Sequence, residues 1–390
     1  MKIRITYPAT VIIAVLLLFI GHRIAVQGLF IFMDHSQEHV RARVLRITER
    51  VQPGDLIDTF DDSDEFGEYD EFFISMMGET VFFEAELRSG ARKGQIITAE
   101  QSLNNLMLFT PKEVIAGDSV MLINTDIGWF FNGHIRTNRL LGLGVLFTLC
   151  VLFFGGKKGF NTILSLGLTC AAVFTVFIPS ILSGKNIYLM AVLVCIYTTI
   201  TTLLLVVGYN KKSLGAATGC ISGIVVAGLI TIIMDKALLL TGIVDEHSRH
   251  LANLPIGTPI DLKAIIFAGI TIGAMGAIMD VAMSIASSLW EVKEEAETVK
   301  FENLFRSGLN IGRDIMGSMA NTLILAYIGS SLSVVLILTV YSGSVLELLN
   351  REMIVVEILQ ALAGSLGILC AMPLTAFFCA SLYLTERKKI

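Results

Sequence analysis

Charge is scarce in this chain: Asp, Glu, Lys and Arg make up 16% of its 390 residues, where a soluble domain carries about a quarter. Nearly half of those side chains fall between Asp34 and Arg139, and elsewhere charge is confined to short stretches between long apolar runs. With 54% apolar residues and a mean hydropathy of +0.72, this excludes a soluble enzyme with a membrane tail, a collagen-like chain and a disordered one. A basic surplus is also missing. The net charge of −5 excludes a nucleic-acid binder. The only cysteines are Cys150, Cys170, Cys195, Cys220, Cys370 and Cys379, all inside apolar runs and with no C-x-x-C pair. They offer no disulfide framework, zinc knuckle or redox pair, and read as small hydrophobes. The motifs H-E-x-x-H and G-x-S-G are missing, and one deep aspartate stands where an aspartyl mechanism needs two. The expectation is therefore no enzyme, no cofactor and no metal.

What is present is a set of apolar runs. A spanning helix needs about 20 mostly apolar residues, and eight candidates emerge: 8–32, 140–155, 161–182, 187–209, 215–236, 264–290, 315–340 and 354–384. The first follows Lys2 and Arg4 like a signal peptide, but Gly21-His22-Arg23 is a poor cleavage site, so residues 1–33 read as a retained anchor. Residues 140–390 read as a seven-helix bundle. With the N-terminus inside, the inner loops carry thirteen Lys and Arg, including Lys157, Lys158, Lys211, Lys212 and Arg387 to Lys389, and the outer short loops five: Lys185, Lys236, Arg249, Lys263 and Arg351. That bias places both termini in the cytoplasm.

Residues 34–139 then form an extracytoplasmic domain. Period-2 segments at 39–49, 80–88, 95–100 and 118–124, with a hairpin loop over 89–94, predict four or five short strands in an OB- or SH3-like barrel or a sandwich. Between the first two, 55–71 holds nine acidic residues and no basic one. With Asp62 first, an EF-hand would need a ligand where Phe66 stands and glutamate where Phe73 stands, so this is a solvated acidic loop. His247 and His250 are three apart but lack a third ligand at fixed spacing, so they make a poor metal site. Phe301, Leu304, Phe305 and Leu309 recur at helical spacing in the charged stretch 291–313 and predict an interfacial helix.

The chemistry concentrates in two runs. From Gly273, the sequence GAMGAIMDVAMSIASSLWE puts Gly273, Gly276, Asp280, Ser284, Ser287 and Ser288 at spacings of three and four, one small and polar stripe on an apolar helix. Asp280 precedes Trp290 by ten residues, about 15 Å along a helix, well inside hydrocarbon. An ionisable group there costs several kcal/mol unless it faces a cavity, a bundle interior or a partner. From Asn310, NIGRDIMGSMANTLILAYIGSS places Asp314, Gly317 or Ser318, and Asn321 on one face. Asn321 lies about 12 Å above Arg313, level with Asp280, and the two are expected to bond. Asp280, Asn321, Ser284 and Asp314 are thus the candidate proton or ion relay, with Asp280 as mere interhelical glue the plainer alternative. Gly273, Gly276, Gly317, Gly219, Gly223, Gly364 and Gly367 are candidate packing positions.

These two runs, with an N-terminal anchor, a β-rich outer domain and a multi-helix bundle, resemble the YibE/F family of bacterial integral membrane proteins. The resemblance covers essentially the whole chain and implies a multipass protein of the bacterial plasma membrane. Gly276, Asp280 and Ala282 are also similar to a Gly-x-x-x-Asp-x-Ala segment of resistance-nodulation-division permeases, whose carboxylates carry protons. In those pumps a second Asp stands where this chain has Val281, and a proton-linked Lys has no counterpart here. Two functional expectations follow: a proton- or ion-coupled permease for a small solute or ion, or a receptor or scaffold whose outer domain binds a protein partner.

Overall fold

A computed structural model, mostly helical, describes residues 2–27, 38–52, 79–103, 112–254, 259–296, 300–341 and 343–384. The chain divides into two compact units, Ile31–Cys150 and Met1–Phe30 with Val151–Ile390.

The described residues of the first unit form five strands, β1 (Glu38–Val51), β2 (Glu79–Leu87), β3 (Ile96–Leu103), β4 (Ser119–Thr125) and β5 (Gly128–His134). They close as β1-β2-β3-β5-β4, every neighbouring pair antiparallel except β3 and β5. A closed five-stranded barrel of this order is OB-like. Alternation drives it: Val81, Phe83, Ala85 and Leu87 of β2 are buried while Phe82, Glu84 and Glu86 between them are not. The long β1 serves two neighbours by bending at bulges between Val44 and Arg46 and between Ile47 and Glu49. Buried Gln101 accepts from the Val114 amide (2.9 Å) and donates to Lys112 O (3.0 Å), so its burial leaves nothing unpaired. Outside, Arg46 grips both oxygens of Glu84 (2.7 and 3.0 Å), which holds that carboxyl below the usual carboxylate range.

The hairpin loop over 89–94 joins β2 to β3, with Gly90 and Gly94 at positive φ. The strand with no periodic signal is β5, GWFFNGH, whose aromatic run does not alternate. The acidic loop 55–71 lies outside the described residues. Because the barrel has its own core, residues 34–139 expressed alone should fold to a strand-dominated circular dichroism spectrum. Phe83→Ala should lower the stability of that fragment by about 3–5 kcal/mol, and a helical spectrum from the parent fragment would overturn the reading.

The second unit is helical. Its elements are α1 (Lys2–Val26), α2 (Thr137–Ala171, shared with the first unit), α3 (Ile187–Val206), α4 (Lys211–Ala237), α5 (Glu246–Ala252), α6 (Leu262–Glu295), α7 (Phe301–Ser330), α8 (Leu332–Tyr341), α9 (Val345–Asn350) and α10 (Glu352–Leu384). Among the described residues six stretches are long and apolar enough to cross a membrane, or seven if α7 and α8 count as one bent span. Two of the eight runs read from the sequence, 140–155 and 161–182, share a single helical stretch, Thr137–Leu182, which passes through a π-helical turn at Ala172–Phe177. It is broken at Gly156, whose φ of 53° and ψ of −127° are not helical. There the chain doubles back, because a Cβ on Gly159 would collide with the Val151 carbonyl, two positions about 12 Å apart in a straight helix.

The run 315–340 is likewise not one straight helix, since α7 and α8 meet at 60°. The cause is local: Ser330 Oγ (2.8 Å) and Ser331 Oγ (2.9 Å) both bond back to Tyr327 O, which also accepts the regular helical bond from the Ser331 amide (3.0 Å), and hydroxyls crowding one carbonyl in this way bend a helix. At the other end, the amphipathic segment with Phe301 and Leu304 is not a separate interfacial helix. It is the start of α7, and Leu304 is buried.

Candidate functional site

The tightest packing in the helical unit joins α4 to α10. A Cβ on Gly215 would stand 2.5 Å from Cys379 Sγ, and one on Gly219 would run into Thr375. On Gly223 it would meet Ala371 Cβ at 2.7 Å and Gly367 O at 3.0 Å, and on Gly367 it would meet Ala227 Cβ at 2.9 Å. The four-residue glycine steps keep that edge of α4 bare, so the two backbones approach as small-residue interfaces allow. A Cβ on Gly364 would meet Leu323 at 3.0 Å and Ala274 at 3.3 Å, and one on Gly273 would stand 2.7 Å from Tyr327 Oη.

Against this floor α6 presents Ala274, Ile278, Val281, Ala282, Ile285 and Leu289, all buried. One helical face away runs the stripe of Gly273, Gly276, Asp280, Ser284 and Ser287. Asp280 is exposed on the surface of the unit and, among the described residues, makes no side-chain hydrogen bond. Nothing lies within 4 Å of where a Cβ on Gly276 would stand. Behind the stripe, Cys220 Sγ lies 3.6 Å from Thr199 Oγ1 in a buried seam and is close enough to interact electrostatically with Asp280.

The expected bond between Asp280 and Asn321 is not formed. In α7 the buried edge is Leu304, Gly308 and Gly312: Gly308 faces Leu289 of α6 and Ala376 of α10, and Gly312 faces Met372 and Ile285. At about 100° per residue, Asn321 comes roughly 140° round the helix from Gly308. It points away from α6, and Asp314, Gly317, Ser318 and Asn321 are all exposed. Depth alone put Asp280 and Asn321 level; rotation separates them. A Cβ on Gly276 or Gly317, read as packing glycines, would meet nothing within 4 Å among the described residues. Ser284 stays beside Asp280 on the half-exposed edge of the stripe.

Other polar contacts carry weaker sequence signals. Tyr7 Oη donates to Asn161 Oδ1 (2.8 Å), whose Nδ2 donates to Leu205 O (2.9 Å). Tyr197 Oη reaches Ala14 O (3.2 Å), and His22 Nδ1 lies 2.8 Å from Thr175 O inside the π-helical turn. These tie α1 to its neighbours, and lone polar residues such as Tyr7 and Asn161 in apolar runs were the available hint. Glu352 accepts from the Thr241 and Gly242 amides (2.7 Å each), pinning the turn after α4 to the start of α10. His247 and His250 sit on α5, and the described residues hold no group of three metal-ligating side chains.

A family model described as YibE/F-like protein matches residues 143–385. No curated protein and no solved structure matches the chain. The match spans more than half of the sequence, and the chain belongs to the YibE/F-like family.

Proposed function

We propose that this YibE/F-like protein is a multipass permease of the bacterial plasma membrane in which Asp280 carries a proton or small cation along the stripe on α6. The observation that supports it is a mid-span carboxylate with no hydrogen-bond partner among the described residues, on a face whose neighbouring positions are glycine and serine. A carboxylate facing lipid is strongly disfavoured, so that face requires water or another protein. A water-lined crevice gives it water, and Ser284 and Ser287 supply hydroxyls along the path. The alternative, a receptor or scaffold with Asp280 bonded across a protein interface, draws on the same open face and on the exposed Ile96, Ile115 and Ile127 of the barrel. The orientation in this reading has both termini inside and eight spans, with the break at Gly156 turning two of them beside Lys157 and Lys158.

Thiol accessibility tests the crevice. In a chain with exposed Cys150 and Cys170 replaced by serine, Gly276→Cys and Ser284→Cys should react with a membrane-impermeant maleimide at least about tenfold faster than Leu146→Cys, whose side chain sits in an apolar helix expected to meet lipid. Equal, slow rates at all three positions would reject a water-lined path. Reporter fusions at Lys211 and Lys389 should report inside and a fusion at Lys185 outside; an inside signal at Lys185 would refute the eight-span orientation.

A further inference from the structure

A second feature, independent of Asp280, lies at the opposite edge of α4. A groove of about 650 Å³ runs between the end of α3 and the first turns of α4. Its walls are apolar, with Ile200, Leu203 and Leu204 on one side and Leu214, Ala217 and Ile221 on the other. From Lys211 to Ile221 it extends about 15 Å, half the hydrocarbon thickness of a bilayer and so the depth of one leaflet. Its mouth is different in character. Lys211 lines it, and among the described residues no carboxylate does. Lys211 Nζ donates to Leu382 O (3.3 Å), which brings the ends of α4 and α10 together. The Trp290 indole closes the mouth, with Lys212 Nζ at 5.8 Å and Lys293 Nζ at 4.6 Å from its ring. The indole N–H is occupied by Glu294 (2.6 Å), so that carboxylate is turned to the tryptophan. The start of α4 adds to this. Asn210 and Ser213 form a reciprocal capping box, which leaves the amides of Lys211 and Lys212 without an intrahelical acceptor and aimed where an anion binds.

We infer that this groove is a binding site for one anionic diacyl phospholipid. One acyl chain lies between α3 and α4, and the phosphate sits on the α4 N-terminus between Lys211 and Lys212. The separation of chemistry along the groove carries the assignment: an apolar slot one leaflet deep, ending at amines, free amides and an interfacial tryptophan. A free phosphate would use only the mouth, and a zwitterionic lipid would bring its own ammonium against the lysines.

Native mass spectrometry of the full chain in detergent, titrated with phosphatidylglycerol, phosphatidylcholine or inorganic phosphate, tests this. One phosphatidylglycerol should bind, and replacing both Lys211→Ala and Lys212→Ala should weaken it about thirtyfold, at the strength expected of two interfacial lysines. Leu214→Trp, at an exposed groove position, should weaken it comparably by filling the slot, whereas Leu229→Trp, equally exposed on α4 but outside the groove, should leave it unchanged. Phosphatidylcholine should bind less tightly, and inorganic phosphate should not displace the lipid. Equal binding of both lipids, displacement by phosphate, or indifference to Leu214→Trp would each overturn the assignment. Should the double lysine variant fail to fold, the contrast between Leu214→Trp and Leu229→Trp decides alone.

Discussion

Gly219→Val and Gly223→Val should each strip the membrane of folded protein, while Gly276→Val leaves its amount and thermal midpoint close to those of the parent. All three are glycines in apolar helices at steps of three or four from other small residues. They differ in what a side chain would meet. At Gly219 the first obstacle is Thr375, backbone included, and at Gly223 it is Ala371 with Gly367 O behind it. Neither neighbour is the flexible end of a long side chain, so relief requires α4 and α10 to separate. Overpacking of a well-packed core costs about 1–3 kcal/mol and occasionally more. Here the cost falls on a helix pair brought together along a row of glycines, and the added branches act against its van der Waals contact along the whole crossing. At Gly276 there is open space. Size-exclusion chromatography of a fluorescent fusion from solubilised membranes, with a melting curve on the peak fraction, reads both effects. Loss of the peak for Gly276→Val with retention for Gly219→Val would mean that the α4 and α10 contact is misassigned.

The second large effect concerns Asp280. Asp280→Asn preserves size and hydrogen-bonding capacity and removes titration, so a protein working through Asp280 should keep its fold and fall to background in any pH-dependent flux measured in proteoliposomes. Asp280→Leu distinguishes the relay from glue. A bonded carboxylate would leave its partner unpaired on replacement, at roughly 0.6 to 2 kcal/mol per interhelical hydrogen bond. Asp280 has no hydrogen-bond partner among the described residues, so Asp280→Leu should melt at or above the parent. Its insertion should improve, since an aspartate at the centre of a span costs about 2.5–3.5 kcal/mol on insertion scales. Two results count against the proposal: full flux in Asp280→Asn removes the relay, and a lower melting point for Asp280→Leu in a purified, monomeric sample shows a bond within the chain.

The contrast between these glycines and Asp280 marks where the sequence suffices. Spacing alone determined that Gly273, Gly276, Asp280 and Ser284 share a face, because 3.6 residues per turn is a property of any helix, whatever surrounds it. Hydropathy determined that the chain is built of long apolar segments, and period-2 alternation located four strands of the barrel, since both patterns are written in consecutive residues. Which way a face points was not written there. Gly223 and Gly276 carry the same local signal, yet one is the floor of a crossing and the other is open, and only the positions of α10 and Ile278 distinguish them. Asn321 has the right depth for Asp280 and the wrong rotation, set by Gly308 and Gly312 turning inward on α10 and α6. The bend after α7 goes with the Ser330 and Ser331 hydroxyls bonding back to Tyr327 O, and β5 depends on a parallel pairing with β3 across a barrel that must first close. Local periodicity follows from backbone geometry; facing, bending and closure follow from which distant residues come into contact, and for these the folded chain had to be seen.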